Sequence, residues 1–459
     1  MTGHVAIRVD VVGGGLAGSE AAWQLAQRGA QVVLHEMRPE HPTPAHQTDR
    51  FAELVCSNTF KSTELSNAHG LLKAEMRALG SLILAAADDA RVPGGSALTV
   101  DREVFAEAVS SRITSHPNIQ VKRGETTSLP SPGIVATGPL TSDALASSIR
   151  ERLGLESLAF YDAIAPIVSR ESIDDAIVFR ASRYDKETMV GAEEGGAYLN
   201  CPMSRDEYEA FIDALGVADQ YHGHEFDAVP YFEGCMPAEE MAKRGRDTLR
   251  FGPMKPVGLT DPRTGRRPYA VVQLRMEDRG GRMWNVVGFQ TRLRIAEQQR
   301  IFRMIPGLAE AEFLRFGSIH RNSYLNAPAT LSPHLSLRDD PLTLFAGQIT
   351  GVEGYTESSA TGLLAGINLT RMLDGETAVV PPTTTMLGAL YRHLREGDPK
   401  HFQPMNANFG LVDELGGDPI RDKRVKKEKL SARALGDLAE WRDRHAIVPV
   451  ESRNVLVQA

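Results

Sequence analysis

The stretch from Val9 to Gly18 constrains this chain more than any other. Val9-Asp10-Val11-Val12 reads as a buried strand, Gly13-Gly14-Gly15-Leu16-Ala17-Gly18 as a turn, and Ser19–Arg28 as a helix with Ala21, Ala22, Leu25 and Ala26 on one face. Gly29 ends that helix. A short second strand, Val32-Val33-Leu34, runs on to Glu36, eighteen residues after Gly18. Each part has a physical role. Gly13 permits the tight turn, Gly15 lets the backbone approach a pyrophosphate, and Gly18 allows close helix–strand contact. The helix N-terminus, with Leu16 and Ala17 in the turn that leads into it, offers N–H groups and partial positive charge to phosphate, and Glu36 can accept from ribose hydroxyls. In this context the spacing predicts a dinucleotide site.

Further along, Val100–Ser115 reads as a helix, Ile119–Arg123 as a strand, and Ile134-Val135-Ala136-Thr137-Gly138-Pro139 as a strand ending in a glycine turn at Gly138. Leu342–Gly347 repeats that pattern, followed by Gln348-Ile349-Thr350-Gly351-Val352-Glu353-Gly354-Tyr355 and a helix from about Ser358 to Leu373. The two glycine turns suggest that N- and C-terminal parts form one cofactor domain around an insert. The expected architecture is α/β: a Rossmann-like domain made of residues 1–153 and 318–440, an inserted α+β domain over 154–317, and a tail over 441–459. Strands are expected in the insert around Ala163–Ser169 and Ala270–Leu274.

Composition narrows the functional classes. With 459 residues, 42% apolar and 24% charged, the chain has the make-up of a folded globular protein. No apolar run approaches the roughly 20 residues needed to span a bilayer, and Met1–Asp10 lacks a signal-peptide pattern, so a cytoplasmic location without membrane contact is expected. The net charge of −8 argues against a polyanionic partner, but its distribution does not. Between Met241 and Arg303 fifteen Lys or Arg face five acids. Such a region either binds a polyanion or is a set of surface arginines with internal partners. A second basic run, Arg421–Lys429, reads as an exposed helix or tail.

Three cysteines form neither a disulfide framework nor a zinc site, no histidine pair has ligand spacing, and no bound metal is expected. Cys235 precedes Pro237-Ala238-Glu239-Glu240, a helix start, where a thiol gains nucleophilicity. Lys243, Arg244 and Arg246 favour that reading, whereas Glu233, Glu239 and Glu240 oppose it. Cys56, in Leu54-Val55-Cys56-Ser57-Asn58, lies close enough to the dinucleotide unit to face a cofactor, or serves as a small hydrophobe. Cys201 has no comparable context and reads as structural. His35 and His46 read as ordinary polar residues. No second G-x-G-x-x-G follows a strand, so NAD(P)H is expected to visit rather than reside.

Several longer segments, taken together, resemble the TrmFO family of flavin- and folate-dependent tRNA uracil methyltransferases, relatives of the GidA-type tRNA-modifying flavoproteins. They include Val12–Gly18 with Glu20-Ala21-Ala22, Glu36-Met37-Arg38-Pro39, Phe51–Asn58, Phe232–Pro237, Phe251–Leu259, Val287–Thr291, His320-Arg321-Asn322 and Ala346–Tyr355. The resemblance stops at about Asp422. It implies a bound FAD, NAD(P)H as reductant, and 5,10-methylenetetrahydrofolate as donor of the carbon that reaches C5 of uridine 54 in the tRNA T-loop. It implies Cys235 as the thiolate that adds to uracil C6 and Cys56 as a second thiol near the flavin. It places tRNA contacts in the basic insert, requires no protein partner, and gives Tyr355 either a stacking role on a pterin or flavin ring or a packing role. Wobble-uridine modification of the GidA type and small-molecule flavin oxidation are the alternatives.

Overall fold

The computed structural model describes residues 7–43, 45–154, 159–185, 196–221, 236–400, 402–417 and 420–450, with backbone alone for 159–164 and 318–323. A five-stranded parallel sheet carries the first domain: β1 (Arg8–Val12), β2 (Gln31–Glu36), β3 (Ile119–Arg123), β4 (Gly133–Val135) and β5 (Thr343–Phe345), in the order β5-β4-β1-β2-β3. β1 therefore lies at the centre, flanked in parallel by β2 and β4. Its Val9 and Val11, on one face, are fully buried, and Val12, on the other, is buried too, as expected for a strand covered on both faces. β5 completes the edge beside β4, bringing a segment from more than 200 residues downstream next to the glycine loop.

Two helices cross on this sheet with their backbones nearly touching. In α1 (Leu16–Gln27) and α2 (Tyr355–Leu373) the contact is made by small residues. A Cβ on Gly362 would stand 2.2 Å from the Ala17 carbonyl oxygen, and one on Gly366 2.9 Å from that of Ala21. α2 begins three residues earlier than the apolar pattern indicates, because Gly354, at φ +117°, breaks the preceding chain and leaves Tyr355 as the first helical residue.

The other large sheet is antiparallel in all its pairings. Its strands run Phe179–Arg180, Tyr198–Met203, Ala270–Met276, Met283–Val286, Ile167–Ser169 and Phe313–Arg315 in spatial order. It has its own apolar core, centred on Trp284, Phe289, Phe211 and Phe302. The chain enters and leaves it through an antiparallel ribbon of Ala159–Ile164 with Ser318–Ser323. The two bodies meet through polar side chains: Asn58 donates to the Met276 carbonyl at 2.8 Å and accepts from Arg275 Nε at 2.8 Å, and Arg102 Nε meets Glu277 Oε2 at 2.5 Å. Beyond them, α3 (Lys423–Arg444) packs Leu430, Ala434, Leu438 and Trp441 against the first domain. Among the described residues, no helix is long and apolar enough to cross a membrane.

Candidate functional site

A cleft of about 1020 Å³ opens between the glycine loop, the end of β2, the turn after β4 and the N-terminus of α2. The loop glycines divide their work as steric arithmetic dictates. Gly13 sits at φ +103°, and a Cβ there would be 2.6 Å from the Ala136 carbonyl oxygen; at Gly18 it would be 1.8 Å from the Gly13 carbonyl oxygen. Both are packed against protein. Gly14 is packed too, its hypothetical Cβ 2.5 Å from the Phe51 ring. Gly15 is the exception: its Cβ would meet nothing within 4 Å, and its backbone is extended. It borders the cleft itself. The α1 N-terminus beside it has no side-chain cap and no acid in its first turn. Unsatisfied N–H groups, a positive dipole end and open space on one side form an anion site of phosphate size.

Glu36 lies at the adjoining corner, buried. Its Oε2 accepts from Gly14 N at 2.9 Å, and its Oε1 accepts from Arg38 N and Nε at 3.0 and 2.9 Å. Burial pushes this carboxyl up, but the Arg38 hydrogen bond and charge, with the Gly14 N–H, outweigh it and hold it below the ordinary range. A carboxylate has about four acceptor positions, so three are used and one is left for a ribose hydroxyl. Arg38 also donates to the Thr48 and Arg50 carbonyls and to Glu53, which holds residues 45–53 against the cleft. In that segment His46 meets Thr43 Oγ1 at 2.6 Å. Burial, then Arg38, lowers its pKa to about 4, so the imidazole is neutral at neutral pH.

The opposite wall comes from the later segments. Gly138 and Gly347, both at positive φ, line the cleft with Gln348, and Gly347 N donates to Thr361 Oγ1 at 2.7 Å. Gly351 does not line it: a Cβ there would be 2.5 Å from Phe402, on the far side of the turn. Gly18 is likewise behind the wall, where it serves packing. Tyr355 does line the cleft, with its ring 5.8 Å from that of Phe60. Its hydroxyl accepts from the backbone N–H groups of Cys56 and Ser57 at 2.9 and 3.0 Å. Burial, then the Cys56 sulfur, raises the phenol's pKa, so it stays neutral. Tyr355 thus ties the cysteine loop to the cleft.

Cys56 is half-buried, its carbonyl and that of Leu54 accepting from Arg102 at 3.4 and 2.6 Å. Burial alone would lower the Arg102 pKa; the Glu277 charge outweighs it, and Tyr355 and Cys56 add to it. Arg315, lowered by burial and then by Arg102, stands within electrostatic reach of the same cysteine. Arg102, Arg315 and Glu277 escape sequence reasoning because no local periodicity marks them; they converge from three distant segments. Cys201 is fully buried in its strand, and burial raises its thiol's pKa.

Cys235 lies outside the described residues. The helix after it, Ala238–Lys243, is six residues long and begins after Pro237, with Ala238 N donating to the Gln290 carbonyl at 2.8 Å. Two of the cations near it in sequence are engaged with acids: Lys243 with Glu240, and Arg246 with Asp213. The same holds across the basic window of the insert. At least nine of its fifteen cations make ion pairs, four of them with Asp213, Asp219 and Glu240, which precede the window and escape a count along it. Arg263 is held by both oxygens of Asp261, while Arg266 and Arg267 are exposed. Among the described residues, no group of three or more His, Cys, Asp or Glu is arranged to hold a metal.

Residues 8–377 match the family described as glucose inhibited division protein A. The chain is 56% identical over 435 residues to a protein of Geobacter sulfurreducens named methylenetetrahydrofolate--tRNA-(uracil-5-)-methyltransferase TrmFO, covering 94% of this chain and 98% of that one. A protein of the same name from Symbiobacterium thermophilum is 54% identical over 446 residues, covering 96% and 98%. Among solved structures, GidA of Aquifex aeolicus superposes with a TM-score of 0.67 at 16% identity, covering 96% of this chain and 76% of that one.

Proposed function

Because the chain belongs to the glucose inhibited division protein A family, and within it to the TrmFO methyltransferases, we propose that it methylates C5 of a tRNA uridine with a carbon from methylenetetrahydrofolate. The observation that carries this reading is identity above 50% along nearly the whole of both chains. Identity to GidA is only 16%, so that likeness speaks for the fold alone. The finer assignments are ours: uridine 54 of the T-loop as target, NAD(P)H as reductant and the cytoplasm as location.

The cleft fits FAD on its own observations: an uncapped helix end, open space at Gly15 and Gly138, and a buried carboxylate with one acceptor position to spare. Gly13 to Ala17 would hold the pyrophosphate, Glu36 a ribose, and Gly138, Gly347, Gln348 and Tyr355 the remainder. Bound and reduced, FAD supplies the electrons that make a methyl group from a methylene. The chain's own part is nucleophilic. A thiolate forms a bond to uracil C6, which pushes electron density to C5; after the carbon is attached, C5 loses its proton and the S–C6 bond breaks. We assign the thiolate to Cys235 and the second thiol, which moves protons, to Cys56. Arg102 steadies the loop that carries Cys56 by donating to the Leu54 and Cys56 carbonyls.

Incubation of the protein with unmodified tRNA, NAD(P)H and methylenetetrahydrofolate labelled in its methylene carbon, followed by nucleoside analysis, tests the assignment. Label in 5-methyluridine is expected. Label in a wobble-position nucleoside, or none while the flavin is still reduced, would overturn it.

A further inference from the structure

We propose that the basic first turns of α3 form a second RNA-docking surface, which grips the phosphate backbone of the same tRNA away from the cleft. This inference rests on the tRNA reading above and adds a contact outside the segment that the family match covers, which ends at residue 377.

The charge of the element is the first observation. From Arg421 to Lys429 six cations stand against Asp422 and Glu428, in a chain whose net charge is −8. All but Lys426 are exposed. Arg424 pairs with Glu428 within the helix and Lys426 with Glu414, while Lys427 lies over the Phe409 ring. Arg421, Lys423 and Lys429 make no ion pair among the described residues.

The placement is the second. Cations belong at a helix C-terminus, where they meet the negative dipole end, and several like charges three or four residues apart repel. Two other helices keep the rule: Arg102–Ser115 and Asp143–Leu153 have acids in their first turns and arginines in their last. α3 has no acid in its first turn, only the Asp422 cap. The Asp422 cap and the pairs with Glu428 and Glu414 compensate this arrangement only in part, and an external polyanion would relieve what remains of the dipole cost and the mutual repulsion.

The third observation separates RNA from a membrane. Along α3 the face that carries Leu430, Ala434 and Trp441 continues, seven residues back, through Lys423 and Lys427. The apolar stripe is buried against the protein, and Val425 is the one large apolar side chain that the first turns expose, too little to insert into lipid as a membrane-surface helix does. The element is also close enough to serve the cleft. Ser431 Oγ donates to the Leu65 carbonyl at 2.6 Å, and Leu65 is nine residues from Cys56, a separation of roughly 30 Å at most. A folded RNA the size of tRNA spans that distance.

The test uses the full-length, FAD-loaded protein with Lys423→Glu, Lys427→Glu and Lys429→Glu combined. Glutamate suits the start of a helix, so the fold is expected to persist. Affinity for unmodified tRNA is measured across a salt series. The expected result is a loss of about tenfold or more at 0.1 M salt, and a log–log salt slope shallower by about three, one per phosphate contact removed. KM for tRNA rises while kcat at saturating tRNA stays. The corresponding triple Gln variant shows the same change of slope should the Glu variant prove unstable, and Arg442→Glu with Arg444→Glu, at the far end of the helix, leaves binding intact. Unchanged slope and affinity in a protein that still methylates tRNA would overturn this surface and spare the proposed function. Wild-type protein that neither binds nor methylates tRNA would sink both. Loss of binding to phosphatidylserine vesicles with tRNA affinity preserved would assign the patch to a membrane instead.

Discussion

At the scale of single residues, the four glycines of the first loop behave as different kinds of glycine. Gly18→Ala would place a methyl group 1.8 Å from the Gly13 carbonyl, so the loop must move; we expect a lower melting temperature and cofactor loss together. Cys235→Ala should abolish methylation while FAD stays bound, and wild-type turnover of that variant would contradict the nucleophile assignment. Cys56→Ala should also slow turnover without flavin loss. His46 yields a prediction in pH. Its folded-state pKa, about 4, lies below the unfolded value near 6.5, so its contribution is present above about pH 6.5 and is lost as pH falls towards 4. Denaturant titrations at pH 7 and 5 should show that loss, and His46→Gln should reduce it; an unchanged pH dependence in the variant would place the acid sensitivity elsewhere. Glycine spacing made the loop that borders the cleft legible from sequence, because that information is local. Arg102 and Glu277 were illegible for the opposite reason: 175 positions separate them, and neither sits in a distinctive local pattern.

At the scale of elements, the alternation of apolar strands with glycine turns located the parallel sheet. It even located its edge strand, Thr343–Phe345, since a strand closed by a glycine turn is readable wherever it occurs. Less readable was the close crossing of α1 and α2, which depends on which glycines face which alanines. Gly362→Val would drive a side chain into the Ala17 carbonyl and separate the helices. Overpacking of this kind costs about 1–3 kcal/mol, measurable as an earlier denaturant midpoint with an unchanged m-value, and flavin affinity should fall with it because α1 and α2 both line the cleft. A midpoint equal to wild type would mean that the crossing is looser than described. The insert was the harder reading. Its charge window looked strongly basic because four of its cations pair with Asp213, Asp219 and Glu240, acids that a count from Met241 to Arg303 leaves out.

At the scale of the whole molecule, the two bodies are joined through Asn58, Arg275, Arg102 and Glu277, the same groups that steady the Cys56 loop. Glu277→Gln leaves a largely buried guanidinium without its counter-charge, a change that costs about 3 kcal/mol or more. The expected signature is a loss of stability with a disproportionate loss of turnover, since the thiol loop loses its anchor; a loss of stability alone would reduce the pair to a structural joint. All of this presumes that a flavin occupies the cleft, and one comparison tests that most directly: the visible absorption spectrum of the purified protein beside that of Gly15→Val. A Cβ at this position has no protein atom within 4 Å, so the added side chain points into the open space where a pyrophosphate would lie. The wild type should carry about one flavin per chain, and the variant should fold with the same apoprotein melting temperature yet remain colourless. A yellow Gly15→Val, with flavin retained at the wild-type ratio, would contradict the account.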